Sequence, residues 1–257
     1  MKKPVILITN DDGYNAPGIK RLIALMTTIG DVIVVAPDGP RSGQSNALTV
    51  TRPIGFSPIE TSPNLKIYSC TGTPTDCVKL ALNDILDQKP DLLVSGINHG
   101  SNAAINVIYS GTMGATLEAC GNSVPAIGFS ICDHGVNADF SFFEKYILNI
   151  TEQTLKNGLP HGVCLNVNAP NGALKGVRVV RQADGFWAEE FEKRRHPFGN
   201  QDYYWLTGYF HNNEPNAKDT DEWALAHGFV SIVPTKIDMT AHEHIKRIAE
   251  WDFREAE

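Results

Sequence analysis

No stretch of the chain stays apolar for anything like the length of a membrane span, and its opening residues lack the charged, apolar and small-residue succession of a secretory leader. The expectation is a soluble cytoplasmic protein with no membrane partner. Basic residues are in the minority: 22 Lys and Arg against 29 Asp and Glu leave a formal charge of −7. That argues against a basic face for a nucleic-acid polymer. A substrate with one or a few phosphates remains allowed, provided a metal and backbone amides do the neutralising. The five cysteines, Cys70, Cys77, Cys120, Cys132 and Cys164, include no CxxC pair. They read as small buried side chains, not disulfides or zinc ligands. There is no internal repeat or low-complexity tract, and neither a GxGxxG nor a Walker loop follows the first apolar run.

That first run is present and informative. Pro4 to Thr9 (PVILIT) is short, apolar and β-branched, as a strand buried on both faces should be. Gly18 to Ile29 carries apolar residues at helical spacing, and Asp31 to Pro37 (DVIVVAP) is a second apolar strand, so the chain opens as a parallel β-α-β unit. Further strands are expected at Leu48–Ser57, Leu65–Cys70, Asp91–Ile97, Ala126–Ser130, Val163–Val167, Val177–Val180 and Phe229–Pro234. Helices are expected at about Cys77–Leu86, Thr112–Cys120, Phe142–Asn157 and Ala241–Asp252. The pattern predicts one α/β domain over residues 1–257, with a Rossmann-like three-layer core and a mostly parallel sheet. From 182 to 228 the alternation gives way to aromatics, charges, Gly and Asn, which reads as a protruding β-rich arm or hairpin that packs on another subunit. Residues 229–257 supply a last strand and helix.

Three apolar strands end in polar loops, and in a parallel sheet these loops share one edge, where ligands bind. The first loop, Asn10-Asp11-Asp12-Gly13, holds two adjacent carboxylates. Their mutual repulsion is relieved by a cation or by the loss of one charge, and a hard divalent metal is the simplest remedy. The same four residues are also plain turn chemistry. The second loop runs through Arg41-Ser42-Gly43-Gln44-Ser45-Asn46, with hydroxyl and amide oxygens and a glycine that lets backbone N–H groups approach an anion. The third runs from Asn98-His99-Gly100-Ser101-Asn102 to Tyr109-Ser110-Gly111-Thr112, which opens a helix and so offers its N-terminus to an anion. Together they form the apparatus of metal-assisted phosphoryl transfer to water.

The segments Asn10-Asp11-Asp12-Gly13, Ala16-Pro17-Gly18, Val35-Ala36-Pro37-Asp38, Arg41-Ser42-Gly43, Gly72-Thr73-Pro74-Thr75-Asp76-Cys77, Ser95-Gly96-Ile97-Asn98, Tyr109-Ser110-Gly111-Thr112 and Asp238-Met239-Thr240-Ala241-His242 resemble, in order, the motifs of the SurE survival-protein nucleotidases. The resemblance spans nearly the whole chain. It implies a metal-dependent phosphatase for nucleoside 5′-monophosphates, with a Rossmann-like core and a C-terminal region used in homodimer or homotetramer assembly. Carried over by position, the ligands of one Mg²⁺ or Mn²⁺ ion per subunit fall on Asp11, Asp12, Ser42 and Asn98. Asn102 and Ser110-Gly111-Thr112 match the phosphate side, and Gly43 and Asn46 of the second loop are expected there too. The chain departs from the family at His99-Gly100-Ser101, and its middle arm matches poorly.

Asp11 and Asp12 are therefore the expected catalytic carboxylates. Attack by a metal-activated water and formation of an aspartyl-phosphate on Asp11 both remain open, the first being preferred because no second acid is positioned for the other. His242 reads either as part of a helix start capped by Asp238 or Thr240, or as a general acid or substrate contact delivered to a neighbouring subunit. Tyr203, Tyr204, Trp205, Tyr209 and Phe210 suit either subunit packing or stacking on a base. A non-catalytic phosphate-binding module is the competing reading. Base preference, 3′-monophosphates and short polyphosphate are not decided by sequence.

Overall fold

The computed structural model describes residues 3–135, 137–199 and 201–253. The chain runs through β1 (Val5–Thr9), α1 (Pro17–Met26), β2 (Asp31–Pro37), β3 (Phe56–Ser62), β4 (Leu65–Cys70), α2 (Pro74–Leu80), β5 (Leu92–His99), α3 (Gly111–Gly121), β6 (Ala126–Ile131), α4 (Glu144–Asn157) and β7 (Val163–Ala169). It continues through β8 (Val177–Val179), β9 (Gly185–Ala188), β10 (Phe191–Arg195), β11 (Asp202–Leu206), β12 (Tyr209–Asn212), α5 (Asp221–Ala226), β13 (Val230–Lys236) and α6 (Ile245–Ala249). Among the described residues no helix is long and apolar enough to cross a membrane.

A nine-stranded sheet, ordered β3-β4-β2-β1-β5-β6-β7-β13-β8, forms the middle layer. The six strands from β4 to β7 pair in parallel, whereas β3 and β13 join them antiparallel. All of β6 is buried, and β5 is buried up to its last residue, as strands covered on both faces must be. One face packs Ile6, Ile8, Val32, Val34 and Leu92 against Ile19 and Leu22 of α1 and Ile147 and Ile150 of α4. The other packs Leu7, Val35 and Leu93 against Cys77 and Val78 of α2 and Met113 and Ala115 of α3. This is the expected three-layer α/β architecture.

The helices start where the sequence signals them. Pro17 opens α1, needing no N–H there. A capping box holds the start of α2: the Thr73 hydroxyl accepts from the Asp76 N–H, and the Asp76 carboxylate accepts from the Thr73 N–H. Ser110 caps α3 through its hydroxyl alone, accepting the N–H of Met113 at 3.0 Å.

Residues 48–55 depart from the strand expected over Leu48–Ser57. Their backbone is claimed by side chains instead of a ladder, the Asp76 carboxylate accepting from Thr49 N–H at 3.1 Å and Thr71 Oγ1 from Gly55 N–H at 2.7 Å. Pairing therefore begins only at Phe56. The helix expected over Ala241–Asp252 is shorter, a 3₁₀ turn at His242–His244 followed by α6. Within 182–228 lie two ladders, β9 with β12 and β10 with β11, and then α5, whose Asp221, Ala224 and Leu225 are buried.

Candidate active site

Strand order reverses between β1 and β5, which lie side by side at the centre of the sheet. Such a reversal opens a crevice at the strands' carboxyl ends. Asp11 and Asp12 follow β1, and Asn98 and His99 end β5. The acidic turn is clamped by Asn10, whose side-chain amide accepts the N–H of Gly13 at 3.1 Å and donates to its carbonyl at 3.0 Å. Gly13 sits at φ +101°, where a Cβ would also lie 3.1 Å from the Gly39 backbone. The second loop is tied to the first by the Arg41 N–H, which donates to the Asp11 carbonyl at 2.7 Å.

Asp11 is only 4% exposed, and the Thr112 hydroxyl donates to its Oδ1 at 2.6 Å. Helix α3 abuts this carboxylate so closely that a Cβ on Gly111 would stand 2.8 Å from the Asp11 Cβ. Burial pushes the Asp11 carboxyl up to about 6; the Thr112 hydrogen bond opposes the rise, and the charge of Asp12 adds to it. Asp12 is half-buried, with its Oδ2 3.3 Å from His99 Nδ1. The Asn98 amide is oriented by donation from Nδ2 to the Gly100 carbonyl at 2.7 Å, which turns its oxygen to the other side.

Asn102 is held by a buried polar network. Its N–H donates to Asn168 Oδ1 at 2.8 Å and its Nδ2 to Ser130 Oγ at 2.7 Å, while its carbonyl accepts from Asn166 Nδ2 at 2.8 Å. Asn168 Nδ2 in turn donates to Asn166 Oδ1 at 2.9 Å. These anchors come from β6 and β7, so the loop after β5 is fixed by the sheet itself.

A cleft of about 390 Å³ gathers Asp11, Ser42, Gly43, Asn98, Asn102 and Ser110 on its lining. Gly111 and Thr112 reach it through their contacts with Asp11. Asn46 lines a neighbouring hollow with Leu117, Ile237 and Met239 instead. His242 is also apart from the cleft, its side chain 65% exposed and its Nε2 2.6 Å from Asp238 Oδ2. Among the described residues no three His, Cys, Asp or Glu side chains gather as a cation cage. The oxygen donors on the cleft's lining include the Asp11 carboxylate, the Ser42 hydroxyl and the Asn98 amide, with the Asp12 carboxylate beside them against His99, which lines the cleft together with His134. That donor set suits a hard divalent ion.

The family model "Survival protein SurE" matches residues 6–189. The chain belongs to the SurE family. It is 54% identical over 258 residues to the 5'-nucleotidase SurE of Flavobacterium psychrophilum, covering 98% of this chain and 99% of that one. It is 49% identical over 253 residues to the 5'-nucleotidase SurE of Phocaeicola vulgatus, covering 98% of each. The crystal structure of the SurE protein from Aquifex aeolicus is similar with a TM-score of 0.82 and 36% identity, over 95% of this chain and 98% of that one.

Four side chains of this SurE cleft escape the sequence reading: Trp187, His134, Glu222 and Asn106. Trp187 lies in β9, and its indole Nε1 donates to Asn106 Oδ1 at 2.7 Å. Of the aromatic cluster singled out in the sequence, Phe210 alone lines the cleft. The cue available in sequence was the alternation Gly185-Phe186-Trp187, which puts Trp187 and Phe186 on opposite faces of a strand.

Proposed function

We propose that this chain is a divalent-metal-dependent phosphatase that hydrolyses nucleoside 5′-monophosphates to nucleoside and phosphate. The observation that carries the reading is the convergence of the Asp11-Asp12 pair, Asn98 and the start of α3 at the sheet's switch point, in a chain about half identical to proteins named 5'-nucleotidase SurE. In this reading Asp11, Asp12, Ser42 and Asn98 hold one Mg²⁺ or Mn²⁺ ion, which when bound supplies Lewis acidity for transfer of the phosphoryl group to water. The raised carboxyl of Asp11 supports it, since a buried acid beside a second carboxylate favours a cation between them.

The remaining roles belong to the chain's own groups. The first-turn N–H groups of α3, at Gly111 and Thr112, face developing negative charge on the phosphate, with Ser110 fixing the helix start. Asn102 offers the side-chain oxygen that its network leaves over, and the Gly43 backbone approaches an anion without a Cβ in the way. Asn46 adjoins from the next hollow. We take water as the nucleophile in preference to Asp11, whose Oδ1 is engaged by Thr112. His242 serves a neighbouring subunit's cleft in a homodimer or homotetramer, a role supported by its exposure beside the exposed Met239, Ile245, Trp251 and Phe253. The 182–228 segment joins this assembly.

The test is inorganic phosphate release from 5′- and 3′-nucleoside monophosphates and short polyphosphate, with Mg²⁺, Mn²⁺ or EDTA, for wild type and Asp12→Asn. Release with metal that both EDTA and the substitution abolish is the expected result. Nucleotide binding without release under any metal would sink the enzyme reading in favour of a binding module.

A further inference from the structure

The cleft is also lined by aromatic side chains that phosphate chemistry does not use. Trp187 and Phe210 are direct partners across the β9–β12 ladder, so both project from the same face, and both line the cleft that contains Asp11 and Asn98. Their neighbours Phe186, Tyr209 and His211 do not line it, as the alternation of a strand requires. Each aromatic is fixed in advance. The Trp187 indole is pinned by its 2.7 Å hydrogen bond to Asn106, two residues before the Ser45-bonded Ile108 and four before the cap Ser110. Phe210 lies over the backbone of Gly185, its diagonal neighbour, where a Cβ would come within 2.7 Å of the ring. An aromatic covering a strand glycine is a rigid arrangement, and rigidity lowers the entropic cost of binding.

We infer that Trp187 and Phe210 together form the stacking platform for the substrate's nucleobase, with Asn106 as the positioning residue that holds the indole. The inference rests on the nucleotidase reading and deepens it. The two rings stand on one ladder face, Phe210 set towards Gly185 and Trp187 towards Asn106, so together they offer a stacking surface wider than either ring alone. Such a surface favours the two-ring purine over the single-ring pyrimidine, because stacking grows with the area covered. It also separates nucleotides from sugar phosphates, which carry the same phosphate and no aromatic ring.

The experiment compares kcat/KM for guanosine 5′-monophosphate, cytidine 5′-monophosphate and ribose 5-phosphate, with Mn²⁺, in wild type, Trp187→Ala, Trp187→Phe, Asn106→Ala and Phe210→Ala. Loss of one stacked aromatic weakens base binding by about tenfold or more. The expected result is therefore a fall of about that size in the nucleotide-to-ribose-phosphate ratio for Trp187→Ala, carried by KM, with Trp187→Phe restoring most of it and Asn106→Ala lying between. The purine-to-pyrimidine ratio should shrink in step. An aromatic pair that only packs the hairpin would lower all three substrates alike, leaving both ratios where they were, and that result overturns the inference. Should Trp187→Ala not fold, Phe210→Ala reads the same ratios under the same criterion. Release from all three substrates at equal kcat/KM in the wild type overturns the platform while sparing the phosphatase reading; release from none overturns both.

Discussion

Thr112 Oγ1 donates a 2.6 Å hydrogen bond to Asp11 Oδ1, joining the first turn of α3 to the carboxylate that follows β1. Both residues are buried, so the bond is not shared with bulk water. Thr112→Val keeps the shape and removes the donor. A hydrogen bond to a charged group contributes about 1.5–3 kcal/mol, so kcat/KM for a nucleoside monophosphate should fall about 10- to 100-fold. Thr112→Ser, which keeps the hydroxyl, should recover most of it. Equal activity in all three proteins would show that Thr112 does not orient Asp11.

Gly111 makes a sharper case of the same contact. A methyl group there would stand 2.8 Å from Asp11 Cβ and 3.1 Å from its Oδ2, distances that force the helix or the carboxylate to move. Gly111→Ala gains at most roughly 1 kcal/mol of helix propensity at this first helical position, which offsets part of that strain, so the net change in global stability should be small. Phosphate release should nevertheless drop by about 100-fold, since a shift of about 1 Å in catalytic geometry has that effect. The two effects separate cleanly by thermal melting and steady-state kinetics on one preparation.

The fold was legible because its central strands announce themselves. VILIT of β1 and DVIVVAP of β2 are apolar runs of strand length, and Gly30 with Pro17 brackets the helix between them. The site was legible to the same depth, since polar residues placed directly after such strands have one edge of the sheet to occupy. Long-range side-chain capture was not legible. The Asp76 carboxylate takes the N–H of Thr49 from 27 residues away and keeps that segment out of the sheet, and no local pattern encodes such a bond. Trp187 was missed for a related reason: its place in the cleft depends on how the β9–β12 ladder docks on Asn106, a contact between residues 81 apart in sequence.

Asn168 is fully buried in β7 and holds the loop after β5 by accepting the Asn102 N–H at 2.8 Å. Asn168→Leu keeps the branching of the side chain but leaves that N–H and the Asn166 oxygen without partners. An unsatisfied buried polar group costs about 1–3 kcal/mol. Urea unfolding should show a loss of about 2 kcal/mol or more, and KM for nucleotide should rise because Asn102 is no longer held. A neutral result would mean that the network rearranges around leucine.

Glu222 carries the pH prediction. It stands in the first turn of α5 beside Asp221, and burial pushes its carboxyl up from 4.5 to about 6, the charge of Asp221 adding to the rise. The folded protein thus binds this proton more tightly than the unfolded chain. Its contribution favours folding below pH 4.5 and declines as the pH climbs from there to about 6. Glu222→Gln removes the titration while keeping the shape. The variant should melt above wild type at pH 8, and the gap should close as the pH falls below about 4.5. Asp221 provides the contrast, because its carboxylate accepts the N–H groups of Ala104 at 2.8 Å and Ala183 at 2.9 Å. Asp221→Asn halves that acceptor set and should lower the melting temperature at pH 8. Burial raises the Asp221 carboxyl too, so both acids are relieved of a buried charge at pH 8, but only at Asp221 does the substitution also turn an NH₂ group towards N–H donors, and the loss of that acceptor should outweigh the relief. Melting curves that moved the same way for both would sink this account.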